Sequence, residues 1–85
     1  MSTADAIVQE CDAIKAMLLE KNAAYGDSAI RPVRIMSKAS ATEQILVRID
    51  DKLSRIARGS AAGEDVILDL IGYLVLLRVA QRGES

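Results

Sequence analysis

Two helix-patterned stretches separated by only five residues, Gly59-Ser60-Ala61-Ala62-Gly63, limit what this chain can become. A spacer that short folds two helices back on each other as a hairpin. Ahead of it stands Arg48-Ile49-Asp50-Asp51-Lys52-Leu53-Ser54-Arg55, and behind it Glu64-Asp65-Val66-Ile67-Leu68-Asp69-Leu70-Ile71-Gly72-Tyr73. The hairpin therefore sets a basic helix edge against an oily helix that carries carboxylates at i and i+4. Such a layout suits a metal-chelated phosphate group, and it equally suits a purely structural network of ion pairs.

The remaining boundaries follow from capping chemistry. Ser2 or Thr3 can cap a first helix with Asp5 near its positive end, and Ile7, Cys11, Ile14 and Leu18 recur on one face. That helix is predicted to run to Ala24 or Tyr25 and stop at Gly26, a natural residue just past a C-terminus. Pro32 disfavours helix at Arg31, so an irregular connection follows, whose Ile30, Val33, Ile35 and Met36 are expected to lie against the body. Ser40 and Glu43 fit a capping box, giving a second helix from Ala41 to Arg58 closed by Gly59. At about 100° per residue, Ile45, Leu46, Ile49, Leu53, Ile56 and Ala57 share one arc. Arg48, Lys52 and Arg55 flank that arc, with Asp51 beyond them and Asp50 on the other side. The third helix is expected from Glu64 to about Arg82, ending at Gly83, and it is apolar nearly all round.

The fold class is thus all-α, with three main helices in one domain spanning residues 1–85. Hydrophobic residues make up 51% of so short a chain, more than one small core needs, which predicts a homo-oligomeric helical bundle. A net charge of −1 gives no global field for nucleic acid, so a duplex-binding surface is not expected. The bases are nevertheless concentrated mid-chain (Arg31, Arg34, Lys38, Arg48, Lys52, Arg55 and Arg58), where they could form a local anion site. With no histidine, any metal must be a hard cation on oxygen ligands. The lone Cys11 falls on the apolar stripe of the first helix and reads as a small buried hydrophobe in a reducing compartment. Val66 to Ala80 is too short and too interrupted for a membrane span, and the N-terminus lacks signal-peptide features. A soluble, cytoplasmic protein is the expectation.

Asp69 is the most informative residue, because a carboxylate in an oily helix must be paired, protonated or bound to a cation. A salt bridge to Arg48, Lys52 or Arg55 would satisfy it, as would a metal. Asp65 one turn earlier could share that metal or simply complement the helix dipole, the role favoured for Glu64. Mid-helix Gly72 suggests that a crossing helix or a flat ligand needs the space. Tyr73 could stack on a base or fill the core. Arg48, Lys52 and Arg55 could bind an anion or merely snorkel along the apolar arc. Asn22, beside Tyr25 and Gly26, suits a base edge or ordinary C-terminal capping.

Together these motifs (Lys21-Asn22-x-x-Tyr25-Gly26, Asp51-Lys52-x-x-Arg55, and Glu64-Asp65-x-x-x-Asp69-Leu70-x-x-Tyr73) resemble the small phage and bacterial nucleotide modification associated domains. Those are grouped with the MazG-like all-α nucleoside triphosphate pyrophosphohydrolases. The similarity spans about Glu20 to Leu77. It implies a helical, oligomeric, nucleotide-handling protein in which Mg²⁺ on two neighbouring helices positions a triphosphate for attack by water. By this resemblance Asp65, Asp69 and Asp51 would hold the metal, with Lys52 and Arg55 as catalytic, phosphate-facing bases. Asn22 and Tyr25 would sit at the nucleoside end. The chain departs from active enzymes in carrying Asp50-Asp51 where they have Glu-x-x-Glu, and adjacent carboxylates diverge by about 100° on a helix.

Three functions follow as expectations. The first is a Mg²⁺-dependent pyrophosphohydrolase binding phosphate between the second and third helices. The second is a non-catalytic nucleotide-binding oligomer, such as a phage protein that sequesters a host (cyclic) nucleotide signal, with Arg31, Arg34, Arg48, Lys52 and Arg55 neutralising phosphates. The third is a helical assembly module that uses its oily third helix as interface.

Overall fold

A computed structural model describes residues 1–59 and 63–83, so the middle of the predicted spacer, 60–62, lies outside the described residues. Within them the chain is all-α, with helices α1 (Thr3–Tyr25), α2 (Ala41–Arg58) and α3 (Val66–Gly83). None of these helices is long and apolar enough to cross a membrane.

Local chemistry sets the ends. Ser2 caps α1 in a reciprocal box: its Oγ accepts the Asp5 N–H at 3.1 Å while Asp5 accepts the Ser2 N–H at 3.2 Å. Those bonds hold the Asp5 carboxyl below its usual pKa, the Ser2 backbone N–H contributing most. Gly26, at φ 62°, closes α1 in the left-handed conformation that costs a glycine least. Ser40 starts α2 by accepting the Glu43 N–H at 3.1 Å, and Gly59 ends it.

The start of α3 differs from expectation. It begins at Val66 rather than Glu64, because Asp65 stands at the N-cap and accepts the Leu68 N–H at 3.0 Å. A residue spent on the cap has left the helical register in which it would stack under Asp69.

Helices α2 and α3 pack closely on each other, while α1 lies against α3 alone. The core sits in the α2–α3 seam, where Ala41, Ile45, Ile49 and Ala80 are buried with Leu70, Tyr73, Leu76 and Leu77 around them. Gly72 is where α1 crosses. A β-carbon there would come within 3.1 Å of Met17 Cε and 3.2 Å of Leu18 Cδ2. The crossing helix was one of the two expectations for this glycine.

Much of the apolar surface stays uncovered. Only Ile45 and Ile49 of the six-residue α2 arc are buried; Leu46, Leu53, Ile56 and Ala57 face outward. In α1 no residue is buried, and Cys11 is exposed, contrary to expectation. The reason is length: α1 meets α3 through its second half, so its N-terminal half has no element beneath it. Val33, Ile35 and Met36 of the connection are also exposed instead of lying against the body.

This distribution has a direct mutational consequence. Ile45, 2% exposed, should lose about 2–4 kcal/mol of stability as Ile45→Ala. Ile7→Ala, on the uncovered half of α1, should stay within about 0.5 kcal/mol. Urea unfolding of both variants followed by circular dichroism checks the contrast.

Candidate functional site

Because α1 rests on α3 without reaching α2, a gap remains between α1 and α2 with α3 as its floor. It forms a cleft of about 420 Å³. One wall is the C-terminal half of α1, with Met17, Leu18, Lys21, Asn22 and Tyr25. The opposite wall is the start of α2, with Gln44, Ile45 and Arg48, and the floor is Asp69, Gly72, Tyr73 and Leu76. Ser28 and Ala29, from the turn after α1, close one end. The cleft thus involves all three helices, not only the second and third.

Asp69 lies at its charged end, a quarter exposed. Lys21 Nζ stands 3.7 Å from Oδ1 and Lys52 Nζ 3.7 Å from Oδ2. Direct ammonium–carboxylate hydrogen bonds run shorter, at about 2.7–2.9 Å. At the observed spacing Asp69 holds the two ammonium groups by charge while leaving their N–H donors free to turn elsewhere. Lys52 is largely covered, its side chain 13% exposed. Arg48 lines the cleft and forms no ion pair among the described residues. Two ammonium groups therefore share one carboxylate, and Arg48 adds a third cation to the cleft lining.

The neutral end supplies rings and amides. Tyr25 is 69% exposed at the mouth, whereas Tyr73 is partly buried on the floor and packs against the core. Gln44 donates its side-chain N–H to the Ala39 carbonyl at 2.9 Å, so its amide is oriented by the backbone that leads into α2. Asn22 contributes its carbonyl to end α1, accepting from the Gly26 and Asp27 N–H groups. Its side-chain amide remains for the cleft.

The cleft thus gathers Asn22, Tyr25, Arg48, Tyr73 and Asp69, with Lys52 beside it. Other residues singled out in the sequence lie elsewhere. Arg55 is held by Asp51 at 3.2 Å, one turn back, and by both oxygens of Glu64 at 2.6 Å. Arg55 and Asp65 border a separate open depression at the α2–α3 turn. Arg31 pairs with Asp27 at 3.4 Å in the connection, and Arg34 is exposed there. Lys21 and Gln44 are cleft residues that the sequence reading did not assign to a site. Lys21 was within the motif quoted, and its spacing one turn before Tyr25 was the available signal.

For a divalent cation the carboxylates do not converge. Asp51 is paired with Arg55, Asp65 caps α3, and among the described residues Asp69 is the one carboxylate that lines the cleft. Among the described residues no group of three or more acidic, histidine or cysteine side chains is placed to hold a metal ion. The Asp51–Asp65–Asp69 set accordingly does not fit a protein-built metal centre.

The Arg55–Glu64 pair carries a pH signature. The hydrogen bond from Arg55 holds the Glu64 carboxyl below its ordinary value of 4.5, and the same bond, with the Asp51 charge next, pushes the Arg55 guanidinium up. A carboxyl with a depressed folded pKa stabilises the fold above its unfolded pKa and loses that contribution as pH falls through the folded one. Glu64→Gln should therefore unfold at lower urea than the parent at neutral pH. The two midpoints should converge as pH falls below 4.5 and through the folded pKa of Glu64. Midpoints measured across that range check it, and a gap that persists in acid would assign the effect to something other than charge.

Comparison with protein-family models, with curated protein sequences and with solved structures gives no match for this chain.

Proposed function

We propose that this protein binds a nucleotide in the three-helix cleft and holds it without cleaving it. The observation that carries the reading is the excess of cation over carboxylate there, joined to two tyrosines. Lys21, Arg48 and Lys52 would take the phosphates, the two lysines using donors that Asp69 aligns without consuming. The exposed ring of Tyr25 offers a stacking surface for a base, and Asn22 and Gln44 offer hydrogen bonds at its edge. Asp69 would keep two lysines oriented in the cleft, so that the site is assembled before the ligand arrives.

Non-catalytic binding is favoured over hydrolysis because, among the described residues, only one carboxylate faces the cleft. Hydrolysis at a phosphate needs a positioned water and a metal clamp or its equivalent. Any Mg²⁺ would have to arrive on the ligand's own phosphates and meet Asp69 alone, a mode that Mg²⁺ does use in other sites. Retention of an intact nucleotide, in the manner of a sequestering protein, is the activity that the donor set supports.

Self-association belongs to the same reading. Leu46, Leu53 and Ile56 of α2 and Ile67 and Leu74 of α3 are exposed large apolar residues on one hairpin. A second copy covering that hairpin would bury what α1 leaves open.

Calorimetric titration with a panel of linear and cyclic nucleotides, in Mg²⁺ and again in EDTA, tests the proposal. Binding should survive EDTA, and the nucleotide should be recovered unaltered after heating. Lys21→Ala and Arg48→Ala should each weaken binding about tenfold or more through loss of a charged hydrogen bond. Tyr25→Ala should weaken it by a similar factor through loss of stacking. EDTA-sensitive release of pyrophosphate would replace retention with hydrolysis, and no binding across the panel would remove the nucleotide reading altogether.

A further inference from the structure

The connection between α1 and α2 is built unlike a surface loop. From Pro32 to Ala39 the backbone makes no hydrogen bond to other backbone groups among the described residues. Its contacts are local: Lys38 Nζ donates to the Arg34 carbonyl and the Ala39 N–H to Ser37 Oγ, each at 3.2 Å. Arg34 turns the chain at φ 59°, a conformation uncommon outside glycine. Three large apolar side chains nevertheless crowd this segment, Val33, Ile35 and Met36, exposed by 77%, 76% and 94%. Arg34 and Lys38 alternate with them, and neither meets a carboxylate among the described residues.

A matching surface exists on the same chain. On α2, Glu43, Leu46, Val47 and Asp50 fall within one arc of about 100°, turned away from the cleft side marked by Gln44 and Arg48. All four are exposed, and neither Glu43 nor Asp50 has an ion-pair partner among the described residues. One surface offers two cations among apolar side chains, and the other offers two carboxylates among apolar side chains. In a single chain they do not meet, since both remain exposed and the segment runs directly into the first turn of α2. A two-fold pairing of copies would satisfy both surfaces twice, because each copy carries one of each. The segment is turned at Arg34, and even at half of full extension, about 12 Å, seven residues reach across a helix about 10 Å wide.

We infer that Pro32 to Lys38 is a strap that crosses to a second copy of this chain and lies along the outer face of that copy's α2. There Arg34 and Lys38 meet Glu43 and Asp50, and Val33, Ile35 and Met36 pack on Leu46 and Val47. The inference rests on the self-association proposed above and assigns it a surface.

Light scattering on the full chain, after size exclusion, measures it. The parent chain should be dimeric or larger. Arg34→Glu with Lys38→Glu should raise the dissociation constant about 100-fold by setting like charges together, and Glu43→Lys with Asp50→Lys should do the same. A chain bearing all four changes should re-associate, with circular dichroism confirming that each variant is folded. A monomeric parent overturns self-association and strap together. An oligomeric parent indifferent to both reversals overturns the strap alone, and so does failure of the fourfold variant to recover. A monomer that sediments with phosphatidylglycerol vesicles through Arg34 and Lys38 would assign the segment to an anionic lipid surface and overturn the inference.

Discussion

The approach of α1 to α3 at Gly72 is the constraint on which the rest of the molecule depends. With no β-carbon in the way, Met17 and Leu18 settle over the middle of α3. The helix is thereby anchored on one neighbour and kept off the other. A third helix lying in the groove between α2 and α3 would have filled the space that is now the cleft. The stacking of α1 on α3 alone leaves it open, and it also brings Lys21, one turn beyond Leu18, to the carboxylate of Asp69. Packing and electrostatics at the site are consequences of a single contact.

Element identity was legible because the signals were local. Ser2, Ser40, Gly26 and Gly59 stand where caps must stand, and the observed α1 and α2 end where those residues end them. Asp65 shows where local reading fails. A carboxylate just before an apolar run fits either the first turn or the cap, and the choice moves its side chain out of the stack with Asp69. Periodicity told that Cys11 and Leu53 lie on apolar faces, but not which faces have something to cover them. That depends on how long each helix is relative to its neighbour, which is a property of the assembled fold. Asp69 was recognisable as a residue in need of partners, and Lys52 was among those expected. Lys21 came from a helix whose crossing point no periodicity specifies.

The site's charges sort by how tightly they are held. Arg55 is gripped by Asp51 and by both oxygens of Glu64, so its donors are committed to the α2–α3 turn. Its work is structural, tying the two ends of the hairpin together across the spacer. Lys21 and Lys52 are held loosely by one shared carboxylate, and Arg48 has no ion pair among the described residues. An anion entering the cleft would find donors that need not be pulled from strong partners first. Looseness of pairing, more than the number of basic residues, separates a binding site from a brace.

The same sorting applies to apolar surface. The buried core is short, and its members Ile45, Ile49 and Ala80 lie along one seam. An 85-residue chain closing one seam hides a limited share of its hydrocarbon, and the remainder faces water at a cost of roughly 25 cal/mol for each Å² that a partner could have covered. Spread evenly, such residues would need no explanation. Here they fall on α1, along the hairpin, and in a connection that from Pro32 to Ala39 makes no hydrogen bond to other backbone among the described residues. The connection also continues from the turn bearing Ser28 and Ala29, which closes one end of the cleft. Whatever fastens that segment also steadies the end wall of the site. If the proposed assembly and the proposed ligand both form, a few residues of backbone would couple them: seating the connection on another copy would steady the cleft, and a ligand that steadies the cleft would in turn favour assembly.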